Sequence, residues 1–160
     1  MLPKYHIIIG FLVSVIIYFI FPEVTLIEAS IVFLSSFLID VDHYLYYVWK
    51  KKDWSLRRAY ENLATNRKFI LSLSPQKRAK YKVIIMIFHG VEFWLILSLL
   101  IFVNKIFLFV LIGVMIHMIL DFVEFYGIGI PFGLKSSVIY VYKTNKQKIP
   151  LPDKYEEFKK

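Results

Sequence analysis

The chain has four histidines, His6, His43, His89 and His117, and each stands in an otherwise apolar run. Five carboxylates lie in the same runs toward the ends that carry the histidines: Asp40, Asp42, Glu92, Asp121 and Glu124, with only Glu28 in the other halves. Imidazole and carboxylate together can bind a divalent metal, relay protons or activate water. There is no cysteine, so thiolate sites and disulfides are excluded and a metal must be held by nitrogen and oxygen, a ligand set that suits zinc. The spacing groups these residues. His117, Asp121 and Glu124 are i, i+4, i+7 on one helix face. His89 and Glu92 are i, i+3, as are Asp40 and His43, while Asp42 points elsewhere unless the helix loosens there. His6 has no carboxylate beside it.

The elements that must carry these residues are apolar. The chain of 160 residues is 58% hydrophobic and 18% aromatic, with a mean hydropathy of +0.60, well above the usual globular composition. Four runs are long enough for a bilayer, which needs about 20 residues of helix: 5–21, 26–49, 83–103 and 106–126. The expected fold is therefore all-α, a polytopic membrane protein of four transmembrane helices. The first run is followed by "IFPEVTLIE", which is no small-residue cleavage site, and reads as a retained span.

The net charge of +8 is concentrated between the runs. Eleven Lys and Arg lie from Lys50 to Lys82 and seven from Lys135 onward, against only Lys105 in the connector after the third run. The positive-inside rule then places the middle loop and both termini in the cytoplasm of an integral cell-membrane protein. Residues 1–135 form the transmembrane unit, with a cytoplasmic loop over about 50–82, and 136–160 form a cytoplasmic tail. In the loop, Trp54, Leu56, Tyr60, Leu63, Phe69 and Ile70 recur at roughly helical spacing among basic residues. It reads equally as an interfacial segment meeting anionic head groups or as a solvated connector. Topology accounts for the charge, so no nucleic-acid partner is expected. In the tail, "SSVIYVYK" alternates and reads as a short strand or a surface segment.

Depth sharpens the pattern. His43 lies seven residues before Lys50 and His89 seven after Lys82, so both are about 10 Å inside the same interface. An acidic residue at a helix centre costs roughly 2.5–3.5 kcal/mol on insertion scales. Five facing lipid would cost as much as a domain's stability. They must face one another, water or a cation, and a bound cation removes their mutual repulsion.

The succession "YHIIIG", "LIDVDHYLYY", "FHGVEF" and "GVMIHMILDFVEFYGIGIPFG" resembles the YdjM-type membrane-bound metal-dependent hydrolases, a family similar to the zinc-dependent phospholipase C and P1 nuclease superfamily. The family pattern is an early His, a Pro-Asp-x-Asp-His segment, a central His and a late Gly-x-x-x-His-x-x-x-Asp followed by Gly. Here Ile39 replaces the Pro, and Phe88 and Gly90 flank the central His where the family carries other residues. Gly113 and Gly127 fall on the late segment. The resemblance implies a zinc-dependent hydrolase in which His43, His89, His117 and Asp121 bind one or more ions, with Asp40 and His6 as further ligands. Its general base is expected among Asp40, Asp42 and Glu92, with Glu92 preferred. The substrate class it implies is a phosphoester borne on a membrane lipid. The rival readings are a divalent-cation or proton transporter and a metal-stapled structural or adaptor protein. The absence of an inverted repeat and of polar residues in the outer halves speaks against transport, and a structural staple predicts closed coordination.

Overall fold

The structure, a computed structural model, describes residues 3–127 and 136–151, and its regular structure is all α-helix. The elements are α1 (Pro3–Ile20), α2 (Leu26–Leu38), α3 (Val41–Lys51), α4 (Leu56–Ser72), α5 (Pro75–Arg78), α6 (Val91–Leu100), α7 (Ile106–Gly127) and α8 (Val138–Asn145). Local sequence sets their ends. Pro22 stands just past α1 in a turn, where it cannot continue a helix. Thr25 and Glu28 form a reciprocal capping box at the start of α2, with Thr25 N donating to Glu28 Oε2 at 2.8 Å. Ser55 caps α4, Ser74 with Pro75 opens α5, and Lys52 closes α3 in the left-handed conformation at φ 54°.

Among the described residues two helices, α1 and α7, are long and apolar enough to cross a membrane. They coincide with the first and fourth runs. The second run is not one helix: it breaks at a turn over Ile39 and Asp40 into α2 and α3. In the third run residues 83–90 are not helical, and α6 is only ten residues long. His89 therefore precedes the helix that carries Glu92, and the expected i, i+3 face is replaced by a loop-to-helix junction with Gly90 at the N-cap. The "SSVIYVYK" stretch is likewise no strand; it caps and forms α8. Gly129 and the Pro131–Gly133 stretch lie outside the described residues.

The middle helix α2 packs against both α1 and α7 through small residues. A Cβ on Gly10 would fall 1.9 Å from Ser36 Oγ, and one on Gly113 would fall 2.0 Å from Ser35 Oγ and 2.4 Å from the Val32 carbonyl oxygen. Such contact lets helix backbones close up. Gly113→Ala is expected to cost about 1–3 kcal/mol as an overpacking change, because the Val32 carbonyl cannot swing away. A lowered midpoint of thermal unfolding in detergent measures this. An apolar cluster of Ile39, Leu97, Val114 and Met118 fills the space between α2, α6 and α7, flanked by Phe88, Phe93 and Trp94.

The interior is mixed: an apolar core that includes Val32, Leu97 and Val114 stands beside buried polar groups. The buried set includes His6, Ser14, Glu28, Ser36, Asp42, His89, His117 and Asp121, residues of kinds mostly found outside. Outward-facing large side chains are apolar: Ile8, Phe11 and Phe19 on α1, Leu95 and Leu99 on α6, Ile119 and Val123 on α7. At the end of the bundle that holds the histidines, α4 is tied down at both ends. Arg58 pairs with Asp53 at 2.6 Å, and Tyr47 of α3 donates to the same carboxylate. Those bonds hold Asp53 well below the usual carboxylate range and Arg58 above its usual value. Further along α4, Arg67 pairs with Glu124 of α7.

Candidate metal centre

Six of the residues singled out in the sequence come together. Their ligand atoms form three overlapping groups, His6–Asp40–His117, Asp40–His43–His89 and His89–His117–Asp121, with the atoms of each group within 4.8 Å of one another. They derive from α1, the α2–α3 turn, α3, the segment before α6, and α7.

The centre is the turn between α2 and α3. Asp40 occupies the N-cap position of α3 but makes no capping hydrogen bond; its carboxylate is turned into the bundle instead. Asp40 Oδ1 lies 3.6 Å from His43 Nε2, 3.7 Å from His89 Nε2 and 3.6 Å from His117 Nε2. Asp40 Oδ2 is buried and has no hydrogen-bond partner among the described residues. The same break turns Asp42 inward, which a continuous helix would not do. Asp42 Oδ2 accepts from Phe88 N at 2.7 Å and lies 3.3 Å from His89 Nδ1.

Hydrogen bonding orients the imidazoles. His117 Nδ1 is 2.9 Å from the Ser36 carbonyl oxygen. A carbonyl only accepts, so this nitrogen carries the proton and Nε2 presents its lone pair. In His89 the Asp42 carboxylate takes the same role at Nδ1, the carboxylate–histidine arrangement that supports metal ligands. The two Nε2 atoms then face each other at 3.2 Å. Two lone pairs so placed repel, and a cation between them removes the conflict. The triangle of His89 Nε2, His117 Nε2 and Asp40 Oδ1 has sides of 3.2, 3.7 and 3.6 Å. A point equidistant from its corners lies about 2 Å from each, a zinc–nitrogen or zinc–oxygen bond length. The donor set fits a divalent metal ion.

His6 and Asp121 close the other side. His6 Nε2 is 3.4 Å from Asp121 Oδ1, His117 Nε2 is 3.9 Å from Asp121 Oδ2, and the His6 and His117 rings stack at 3.8 Å. Both His6 nitrogens are buried with no hydrogen-bond partner among the described residues. The site is closed at this end, where the His6 and His117 side chains are 0% exposed, and open at the other, where His43 is 25% and Asp40 16% exposed.

Two acidic residues stand outside the groups. Glu92, the preferred base from sequence, has its carboxylate engaged at the start of α8: Ser137 Oγ donates to Oε1 at 2.5 Å, Val138 N to Oε2 at 3.0 Å and Ile139 N to Oε1 at 3.2 Å. It caps that helix. Glu124, on the face of His117 and Asp121, is held by Arg67. Sequence reasoning missed Ser36, which acts through its backbone carbonyl, and Ser137; neither main-chain acceptors nor capping partners across the chain leave a spacing signal. Gly10 and Gly113 mark where α2 must approach, and Gly113 lies one turn before His117, so it brings that imidazole within reach of the Ser36 carbonyl.

The fold and centre thus define an all-helical protein with a buried histidine–aspartate cluster that could hold a metal ion. Compared with known protein families, curated proteins and solved structures, the chain gives no match.

Proposed function

We propose that this chain is a membrane-embedded, zinc-dependent hydrolase with its site open toward the cytoplasm, acting on a phosphoester carried by a lipid. The observation that carries the reading is the convergence of three imidazole Nε2 atoms on Asp40 Oδ1 at the open end of the cluster. In this reading α1 and α7 are complete spans, and the α2–α3 pair and the 83–103 segment are two further, interrupted ones. The outward apolar faces and the inward polar residues support it. Non-helical backbone at membrane depth is tolerated where protein buries it, and the 83–90 segment has such support from Asp42 and Asn145.

Bound zinc supplies Lewis-acid activation of a water and of the ester it meets. The chain's residues do the rest. His43, His89 and Asp40 would hold the ion from the open side and His117 from the closed side, where His6 with Asp121 would complete or double the site. Asp42 and the Ser36 carbonyl fix the tautomers of His89 and His117, so neither of those Nε2 atoms has to shed a proton. Asp40 Oδ2, buried with no hydrogen-bond partner among the described residues, accepts the proton of the attacking water, the role expected from sequence for Glu92. The resemblance to the YdjM-type hydrolases supports phosphoester over other substrates, and the partial exposure of His43 and Asp40 favours catalysis over a closed structural staple.

The test is metal content of detergent-purified protein by mass spectrometry. One or more zinc ions per chain are expected, absent from His117→Ala and Asp121→Ala, followed by phosphate or head-group release from a phospholipid panel. A wild-type protein that takes up no metal when zinc is supplied would overturn the proposal.

A further inference from the structure

Residues 136–149 form a strap over the segment that leads to His89. At one end Val91 N donates to the Ser136 carbonyl at 2.7 Å. The Asn145 side chain brackets Val83, accepting from its N at 2.9 Å and donating to its carbonyl at 2.7 Å. At the other end Lys82 N donates to the Ile149 carbonyl at 2.8 Å and Ile149 N to the Lys80 carbonyl at 2.9 Å. The helix in the strap, α8, therefore runs beside residues 83–91 in the opposite direction, from the α6 junction back to Val83. Its inward side chain is Val141, 3% exposed. Its outward face carries Ile139, Tyr142, Lys143 and Lys146 at i, i+3, i+4 and i+7, with Ile139 57% and Tyr142 58% exposed. Lys146 Nζ stands over the Tyr142 ring at 5.2 Å. Residues 136–151 contain no Asp or Glu, so the charge of this stretch is of one sign.

The order along the face is informative. From the bundle outward it reads aliphatic, aromatic, basic, over about 10 Å of helix. A bilayer surface is layered in the same sequence, from acyl chains through the zone that favours aromatic rings to the head groups. A second copy of the chain would set like charges against each other, whereas anionic lipid complements them.

We propose that the outward face of α8 docks on an anionic bilayer surface, and that the strap carries this contact to the junction bearing His89. Ile139 enters the edge of the acyl region, Tyr142 lies at the interface, and Lys143 and Lys146 meet lipid phosphates. The docking rests on the membrane-embedded part of the proposed function and not on zinc or hydrolysis.

The chain has no cysteine, so Ile139→Cys gives a unique point for an environment-sensitive fluorescent label. The experiment uses the full chain in phosphatidylcholine vesicles with and without phosphatidylglycerol. With phosphatidylglycerol the emission is expected to shift to the blue and to be quenched by spin-labelled lipid. The docking equilibrium should fall about tenfold or more in Lys143→Gln/Lys146→Gln. It should be unchanged in Lys68→Gln/Lys77→Gln, which removes equal charge from α4 and α5. Hydrogen exchange at the Lys82, Val83 and Val91 amides should slow in the anionic vesicles. A label that stays in polar surroundings or ignores phosphatidylglycerol overturns the docking, as does equal weakening in both double variants. Docking with unchanged exchange at those amides overturns the link to the junction. Circular dichroism verifies that the variants fold. An alkaline carbonate wash tests the spanning reading separately. A chain stripped by carbonate yet docked at neutral pH through Lys143 and Lys146 sinks that reading and keeps the docking; a chain that resists carbonate with its label undocked does the reverse.

Discussion

Asp40→Asn is expected to abolish zinc uptake and hydrolysis while leaving the metal-free protein at least as stable as wild type. Asp40 Oδ1 lies close to three imidazole nitrogens, so its loss removes a shared ligand. The effect should exceed the 10–100-fold that changes in supporting residues cost. The stability argument has the opposite sign. Without a cation, Asp40 keeps one buried oxygen with no hydrogen-bond partner among the described residues, and an unsatisfied buried polar group destabilises. Zinc at about 100 times its Kd should stabilise wild type by about 2.7 kcal/mol through mass action. In Asp40→Asn that zinc-dependent rise in unfolding temperature should vanish. The check is a pair of thermal melts, with and without zinc, on both proteins. A preserved rise in the variant would mean that the ion is held elsewhere in the cluster.

Glu92→Gln separates two roles for one residue. As the cap of α8, Glu92 ties residues 136–139 to the junction that carries His89: Val91 N also donates to the Ser136 carbonyl at 2.7 Å, and Gly90 leaves no room for a side chain between Glu92 and Val138. Hydrogen bonds to a charged group are worth about 1.5–3 kcal/mol. The variant should therefore lose stability in that range and bind zinc about 10–100-fold more weakly, and excess zinc should restore turnover. A proton-transferring Glu92 gives the reverse, with unchanged zinc affinity and turnover lost at saturating metal. Measuring zinc affinity and saturated turnover on the same preparation decides between them.

The residue types and their depth made the cluster legible before any fold was known. Histidines and aspartates cannot be scattered through apolar helices without meeting one another, and His6, Asp40, His43, His89, His117 and Asp121 do meet. The all-helical class followed from the apolar runs in the same way. Helix continuity was not legible. Hydropathy measures transfer to lipid and says nothing of whether Ile39 and Asp40 continue a helix, yet the turn there is what brings Asp42 inward. The 83–90 segment is as apolar as a helix, but its backbone finds partners elsewhere: Asp42 takes Phe88 N and the Asn145 side chain brackets Val83. Those partners are 46 and 62 residues away, and no local pattern records them. Glu92 and Glu124 had the right spacing for the cluster and were drawn off by Ser137 and Arg67, competitors that lie outside their own helices.

The shortness of α6 bears on how a substrate could arrive. Ten residues of helix rise about 15 Å, half the roughly 30 Å hydrocarbon thickness of a bilayer. In the membrane-spanning reading the rest of that span is the non-helical 83–90 segment, held by Asp42 and Asn145 instead of by its own backbone. Backbone so held opens at lower free energy than a helix, and it ends on His89. The wall of the bundle would then part most easily beside the cluster, a side door through which a lipid-borne ester could slide without leaving the membrane.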